Sequence, residues 1–210
     1  MGGAGARPRE ALVAGTRGAF GACGTAADAS SIRGGWAAFR LALVTTSSSS
    51  KWRTDGLAMV YLPRHFLVNN HLAVEEALGL EAYRRILQVA TEKSALHWCR
   101  SEAKTHGLAP EATFHHYFKR LSQRGWGQFA VDRLDVAGRR GHLSLRNSLF
   151  ALEAGAARGK PVCYMFEGFV TGAFRFLLGD DASMVTCSEA QCVAEGSHEH
   201  CRFDVEAGPA

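Results

Sequence analysis

The sequence predicts an α+β fold in which an antiparallel sheet packs against several helices. Three observations favour this class. Apolar residues recur at three- and four-residue steps between residues 71 and 121, as in amphipathic helices. From Trp126 onward the pattern changes to the alternation that is typical of strands, on either side of a glycine-containing turn. A further apolar helix and a cysteine-bearing loop between two short strands complete the C-terminal part.

Composition narrows the class of protein. The chain has 210 residues, of which 47% are hydrophobic and 21% charged, as expected for a globular domain. The formal charge of +4 is scattered, so we expect no nucleic-acid partner. No stretch reaches the roughly 18 to 20 apolar residues of a membrane span. The six cysteines do not have the spacing of a disulfide scaffold, and we expect a reduced, cytoplasmic protein.

The amino-acid composition of the chain changes near residue 56. Residues 1–56 are rich in Gly, Ala, Ser and Arg, which predicts a low-complexity, disordered tail. Residues 57–210 have ordinary globular composition and predict a single domain. Met59 opens this second part, so one hypothesis is that the physiological chain starts there.

The first helices follow from local signals. Residues 59–68 form an apolar lead-in or strand interrupted by Pro63, and Asn69 and Asn70 are candidate caps for a helix over 71–78. The longest helix is expected over 81–105, and Gly107 should end it. Its apolar face should contain Tyr83, Ile86, Leu87, Ala90, Ser94, His97 and Trp98.

The remaining elements follow in chain order. Pro110 should begin a helix, since proline suits the first helical turn. Its buried stripe should be Phe114, Tyr117, Phe118 and Leu121. A hairpin turns at 137–141, and a short helix and loop occupy 148–160. An apolar helix follows over 162–178, and two antiparallel strands over 183–187 and 201–205 hold the cysteine-bearing loop.

That loop has the spacing of a transition-metal site. Glu189, Cys192 and Cys201 fall within thirteen residues, Gly196 lets the chain between them fold back, and Cys163 is a fourth candidate upstream. Three thiolates and one carboxylate would close the shell of a zinc ion, which indicates a structural role. Rival ligands are Cys187, His198 and His200, and the cysteines could instead be small buried hydrophobic residues.

Two expectations concern single side chains. We expect Cys163 in the first turn of the 161–178 helix, where the helix N-terminus lowers a thiol pKa. Four histidines are expected on helix surfaces or half-buried, and not as ligands or bases: His97, His106, His115 and His116.

The C-terminal motifs resemble a known family. They are Lys-Pro-Val-Cys-Tyr at 160–164, Glu-Gly-Phe at 167–169, Thr-Gly-Ala-Phe at 171–174, Glu-Ala-Gln-Cys at 189–192, and Gly196 to Cys201-Arg-Phe. Together they are similar to the 4-vinyl reductase domain, including the input domains of phenol- and xylene-responsive transcription activators and bacteriochlorophyll 4-vinyl reductase. The likeness is strongest over 143–206. It implies the ligand-binding fold of NO signalling and Golgi transport, with zinc held by Cys163, Glu189, Cys192 and Cys201.

The resemblance also implies an apolar ligand cavity between the sheet and the helices. One wall would be the hairpin, through Trp126, Phe129, Leu143 and Leu145. The other would be the apolar helix, through Tyr164, Phe169, Phe174 and Phe176. Leu145 stands where the phenol sensors have a Trp that helps to hold the ligand hydroxyl, which argues against phenol itself. Each of these side chains could instead be ordinary core.

Two functions remain. The first is a zinc-stapled domain that senses or carries a small apolar, aromatic or tetrapyrrole molecule without catalysis of its own. The second is a 4-vinyl reductase, or its accessory subunit, in bacteriochlorophyll synthesis. Hydride transfer needs a nicotinamide or flavin site, and the chain has no glycine-rich fingerprint between a strand and a helix, which favours binding. By analogy we expect a homodimer, and because the chain ends at Ala210 we expect signalling through a partner protein.

Overall fold

A computed structural model describes residues 44–45, 52–54, 57–155, 158–179 and 184–208. The helices are α1 (Arg64–Leu78), α2 (Leu80–His106), α3 (Pro110–Gln123), α4 (Leu149–Ala154) and α5 (Met165–Leu178). The strands are β1 (Val44–Thr45), β2 (Trp52–Thr54), β3 (Leu57–Met59), β4 (Gln128–Asp135), β5 (Arg140–Arg146), β6 (Val185–Gln191) and β7 (Cys201–Ala207). A short 3-10 turn spans Val193–Glu195.

The main sheet has four antiparallel strands in the order β4-β5-β7-β6. Inward-facing residues alternate along it; Leu143 and Leu145 of β5 and Phe203 and Val205 of β7 are buried. The predicted antiparallel sheet and hairpin are therefore confirmed. The turn also needs a residue in the left-handed region, and Arg139 adopts a φ of 54° there.

A second, three-stranded antiparallel sheet joins β1, β2 and β3 in that order. Strands β1 and β2 fall within the segment that was predicted as a disordered tail. The rest of that segment lies outside the described residues, so the domain boundary at 56–57 stays a prediction.

The first helix starts earlier than the predicted Asn cap. Pro63 has a φ of −60°, the angle its ring imposes, and its carbonyl accepts a hydrogen bond from the Leu67 amide at 3.3 Å. The helix therefore begins at Arg64, and Asn69 and Asn70 are exposed residues of its interior. The cap prediction was wrong because the proline starts the helix about two turns before the predicted start at His71.

The buried face of α2 differs from the predicted one. Tyr83 and Trp98 are buried as expected, but Ile86 is 54% exposed and Ala90, Ser94 and His97 lie on the surface. The buried residues of α2 are Tyr83, Thr91, Ala95, Trp98, Cys99 and Glu102. Small side chains occupy the centre of this face because α2 packs there against two glycines of α5, a requirement that hydrophobic periodicity does not reveal.

Those glycines allow unusually close packing. A Cβ atom on Gly168 would lie 2.0 Å from Thr91 Oγ1, and one on Gly172 would lie 2.3 Å from the Glu92 carbonyl oxygen. The two backbones can approach this closely only where α5 has no side chain. The spacing of four residues places both glycines on one side of α5.

Helix α5 is the centre of the core. Most of its residues are buried, and its opposite side packs on β6 and β7 and reaches α3 through Phe174, whose ring centroid lies 6.1 Å from that of Phe114. Helix α3 buries the predicted stripe of Phe114, Tyr117, Phe118 and Leu121. Within the described ranges, no helix is both long and apolar enough to cross a bilayer.

Candidate metal centre and apolar cavity

Four potential ligands meet at one end of the main sheet. Glu189 is near the end of β6, Cys192 follows that strand, Cys201 is the first residue of β7, and Cys163 precedes α5. A register irregularity after Glu189 breaks the alternation of β6 and turns Cys192 inward. Between the two loop cysteines, Gly196 takes a φ of 89°, which a residue with a side chain rarely adopts.

The ligand atoms of these four residues all lie within 4.8 Å of one another. The Cys163 sulfur lies 3.7 Å from that of Cys201 and 4.0 Å from that of Cys192, and the third sulfur pair is 3.8 Å apart. A tetrahedral ion with bonds of about 2.3 Å to sulfur requires sulfur pairs about 3.8 Å apart. None of the three thiols forms a disulfide, so all three are available as ligands. Their spacing suits one shared ion.

The carboxyl group of Glu189 fits the fourth position. Its Oε2 accepts a hydrogen bond from the Cys163 amide at 3.0 Å. Its Oε1 is buried and has no hydrogen-bond partner among the described residues. Such an atom is costly in a protein interior, and a cation would satisfy it. The set of donor atoms and the Glu189 oxygen without a hydrogen-bond partner therefore both fit a bound transition metal.

Surrounding groups hold the ligands in place. The Glu189 amide donates to Glu167 Oε1 at 2.8 Å, and both oxygens of Glu167 accept hydrogen bonds from Arg84. Ser148 Oγ lies 3.0 Å from the Cys163 sulfur, and the Val193 amide donates to the Cys201 sulfur at 3.4 Å. Outer contacts of this kind orient metal ligands and tune their affinity.

The electrostatics of the cluster shift the pKa values of three of its four side chains. Burial, with the nearby Cys192 thiol, raises the pKa of Glu189 to about 10. Contacts with the thiols of Cys192 and Cys201, followed by burial, raise the pKa of Cys163. Contacts with the thiols of Cys163 and Cys192 lower the pKa of Cys201 to about 4. Without a metal, the raised pKa values of Glu189 and Cys163 favour their neutral forms, and a bound metal would favour their ionisation.

The structure separates these four residues from the rival candidates in the sequence. Cys187 shares the buried face of β6 with Glu189, as predicted, but is not part of the cluster, and burial raises its pKa. His198 and His200 are half-buried loop residues outside the cluster. The predicted location of Cys163 was wrong: α5 begins at Met165, so Cys163 precedes the first turn.

The eight predicted ligand-pocket side chains belong to the apolar interior. Leu143, Leu145, Tyr164, Phe169 and Phe174 are buried, and Trp126, Phe129 and Phe176 are partly buried against the core. Ring contacts link several of them; the centroids of Trp126 and Phe169 are 5.7 Å apart. The Tyr164 hydroxyl donates to Glu75 Oε2 at 2.6 Å. Their joint role as a ligand wall stays a prediction.

An apolar cavity of about 250 Å³ lies beside that interior, and Trp126 is the member of the predicted set that lines it. It is bounded by β3 and the segment after it, by the start of α1, and by the corner between α3 and β4. Its lining is Thr54, Met59, Val60, Tyr61, Leu62, Arg64, Leu67, Arg124, Gly125, Trp126 and Leu149. Sequence periodicity did not predict this set, because most of it comes from irregular segments.

Three comparisons relate the chain to known proteins. A family model described as a domain of unknown function, DUF5943, matches residues 38–132. This match covers the small sheet, the first three helices and much of β4, but not the cysteine cluster. No curated protein sequence matches the chain.

Solved structures share the architecture. The phenol-responsive sensory domain of the transcription activator PoxR, solved with phenol, aligns at a TM-score of 0.62 and 20% identity, over 75% of this chain and 80% of that one. Subunit 3 of a trafficking protein particle complex from Naegleria fowleri, covalently bound to palmitic acid, aligns at 0.50 and 13% identity, over 70% of this chain and 95% of that one. The predicted α+β fold, of the 4-vinyl-reductase and Golgi-transport type, is therefore confirmed.

Proposed function

We propose that this protein is a zinc-containing domain that binds a small aromatic molecule and acts as a sensor or carrier without catalysis of its own. The observation that carries the proposal is the apolar cavity beside the core of a fold shared with a phenol-responsive sensory domain. The cysteine cluster would bind zinc as a closed structural site and would stabilise the fold without contacting the ligand.

Zinc is the metal that this donor set suits best. Thiolates favour a borderline-soft ion, and the sulfur separations match a tetrahedral shell. Cys163, Glu189, Cys192 and Cys201 would hold the ion and leave no position open for substrate. Buried thiols that must stay reduced also fit a cytoplasmic setting.

The cavity supports a ligand the size of one substituted ring. A dry cavity of about 150 Å³ accommodates benzene, and this one measures about 250 Å³. A tetrapyrrole macrocycle is much larger than such a ring, so the volume of the cavity favours a small aromatic ligand over a tetrapyrrole. Arg64 and Arg124 line the cavity, so a hydroxyl or carboxylate substituent on the ring would have cationic residues near it.

Calorimetric titration of zinc-loaded protein tests this assignment. We expect substituted phenols or benzoates, and not phenol itself, to bind, and a ligand at 100 times its Kd to stabilise the fold by about 2.7 kcal/mol. Leu67→Trp should fill the cavity and abolish binding, whereas Leu152→Trp, at a position 55% exposed on α4, should leave it unchanged. Equal binding by both variants would place the ligand elsewhere.

The enzyme hypothesis has its own test. Incubation with NADPH and a divinyl tetrapyrrole should give no turnover by the isolated chain, since it has no dinucleotide fingerprint. Turnover would overturn the binding assignment.

We also infer a homodimer that passes its signal to a partner protein. Tyr61 and Phe66 are 84% and 56% exposed, and apolar groups on a surface suit an interface. Light scattering should give twice the chain mass, and Phe66→Ser should shift it toward the monomer.

A further inference from the structure

A second cluster of metal-ligating side chains lies away from the cysteines, where α2 ends beside α3. Glu102 and His106 are four residues apart on α2, which places them on one face, and His116 faces them from α3. The ligand atoms of the three residues all lie within 4.8 Å of one another. The sequence predicted both histidines as surface or half-buried residues and not as ligands; the tertiary structure places them beside a buried carboxylate.

The Glu102 carboxylate is fully buried and its two oxygens have different partners. Oε2 lies 2.7 Å from His116 Nε2 and 3.4 Å from His106 Nε2. Oε1 accepts a hydrogen bond from the Trp98 indole at 2.7 Å, and the Arg124 guanidinium lies 3.7 Å from it. One oxygen is thus oriented by outer partners while the other faces two imidazole nitrogens.

These separations suit a shared ion. With metal–nitrogen and metal–oxygen bonds of about 2.0–2.2 Å, neighbouring ligand atoms in a tetrahedral or octahedral shell lie about 2.9–3.5 Å apart. The Glu102–His106 separation of 3.4 Å lies within that range, and the Glu102–His116 separation of 2.7 Å is slightly shorter. His106 is the last residue of α2, and its ring centroid lies 4.9 Å from that of His116.

We propose that Glu102, His106 and His116 form a second divalent transition-metal site, distinct from the cysteine cluster. Two imidazoles and one carboxylate are the ligands of zinc, cobalt and nickel sites that leave a coordination position open to solvent. The side chains of His106 and His116 are 36% and 25% exposed, so the ion can exchange with solution. The Trp98 contact serves as the outer bond that fixes the carboxylate.

Cobalt titration of the full chain, with its cysteine cluster loaded with zinc, tests the proposal. We expect one further cobalt ion per chain, with weak d–d absorption and none of the intense charge-transfer absorption that thiolate ligands give. His116→Asn and His106→Asn should each weaken binding by about tenfold or more, because each removes one of three ligands.

Two exposed histidines on the same helices provide matched controls. His115→Asn and His97→Asn should leave cobalt affinity within about twofold of the parent protein. Circular dichroism checks that each variant is folded, and the helix-end variant at His106 keeps the test valid if the His116 variant unfolds. No additional cobalt, equal losses in ligand and control variants, or thiolate charge transfer with release of zinc would each overturn the proposal.

Discussion

Glu189 illustrates how a single side chain links the two halves of the cysteine cluster. Its oxygen holds the backbone of Cys163 before α5, and its own amide is held by Glu167 inside that helix. The second oxygen, without a hydrogen-bond partner in the described ranges, points to the site of a cation. Without a metal, a buried carboxyl oxygen placed in this way would destabilise the folded state. With a metal, the same oxygen would be a ligand.

Replacing one thiol of the cluster should therefore cost far more than replacing a thiol outside it. We expect Cys192→Ala or Cys201→Ala to lower the free energy of unfolding by several kcal/mol, because metal affinity is folding energy. Elemental analysis should show about one zinc per chain in the parent protein and a loss in these variants.

Cys187→Ala is the matched control, since Cys187 is equally buried but outside the cluster. Urea unfolding should show a cost of no more than about 1 kcal/mol, typical of a small core change. Equal costs at Cys187 and Cys192 would contradict the metal assignment.

We expect the free energy of unfolding to depend on pH because of one buried histidine. His71 is 2% exposed between Tyr83, Phe150 and Tyr164, and neither ring nitrogen has a hydrogen-bond partner in the described part of the chain. Burial lowers its pKa to about 4, against the opposing effect of Glu75.

Because the unfolded histidine titrates near pH 6.5, the unfolded state binds more protons between that pH and about 4. The folded state should therefore lose up to about 3 kcal/mol as the pH falls through this window. Urea unfolding at about pH 7 and pH 5 measures the loss, and His71→Phe should remove it. His115→Asn should keep the full dependence, and a flat parent profile would contradict the argument.

At the scale of elements, the contact between α2 and α5 decides the packing of the core. Gly168 and Gly172 remove the side chains that would separate the two backbones, and Thr91 and Ala95 face them. Hydrophobic periodicity identified α2 as a helix but misplaced its face, since small residues carry little hydrophobic signal. The contact is therefore a matter of shape and not of apolar content.

Gly172→Ala tests this contact. Alanine normally stabilises a helix interior relative to glycine by roughly 0.5–1 kcal/mol, yet here the new Cβ would lie 2.3 Å from the Glu92 carbonyl oxygen. We expect a net loss of about 1–3 kcal/mol, as in other overpacked cores.

Thermal unfolding measures that loss, with Ser94→Ala on the exposed face of α2 as control. The control should change stability by less than about 0.5 kcal/mol. A stabilised Gly172→Ala protein would show that the helices separate at no cost.

At the scale of the whole molecule, the cysteine cluster joins elements that lie far apart in the sequence. It brings the segment before α5 to the end of β6 and the start of β7, and Ser148 adds a contact from the start of α4. The candidate aromatic cavity, by contrast, is bounded by segments from the first half of the domain and by the start of α4. The two sites therefore depend on different parts of one core.

Metal removal should consequently act locally. We expect a strong chelator to reduce amide-exchange protection in β6, β7 and the first turn of α5, with less change in the interior of α2 and α3. Mass spectrometry of exchanged peptides measures this pattern. Uniform loss of protection would mean that the ion holds the entire fold, and no loss would mean that no ion is bound.

The sequence by itself determined the elements and the ligand candidates. The apolar periods of α2 and α3, the alternation of the hairpin and the spacing of Glu189, Cys192 and Cys201 are local properties, and each follows from helix, strand or metal geometry. Only the tertiary structure decided which small residues face each other, where the cavity lies and that Glu102 meets His116. Those outcomes depend on distances between elements, and a one-dimensional pattern does not contain such distances.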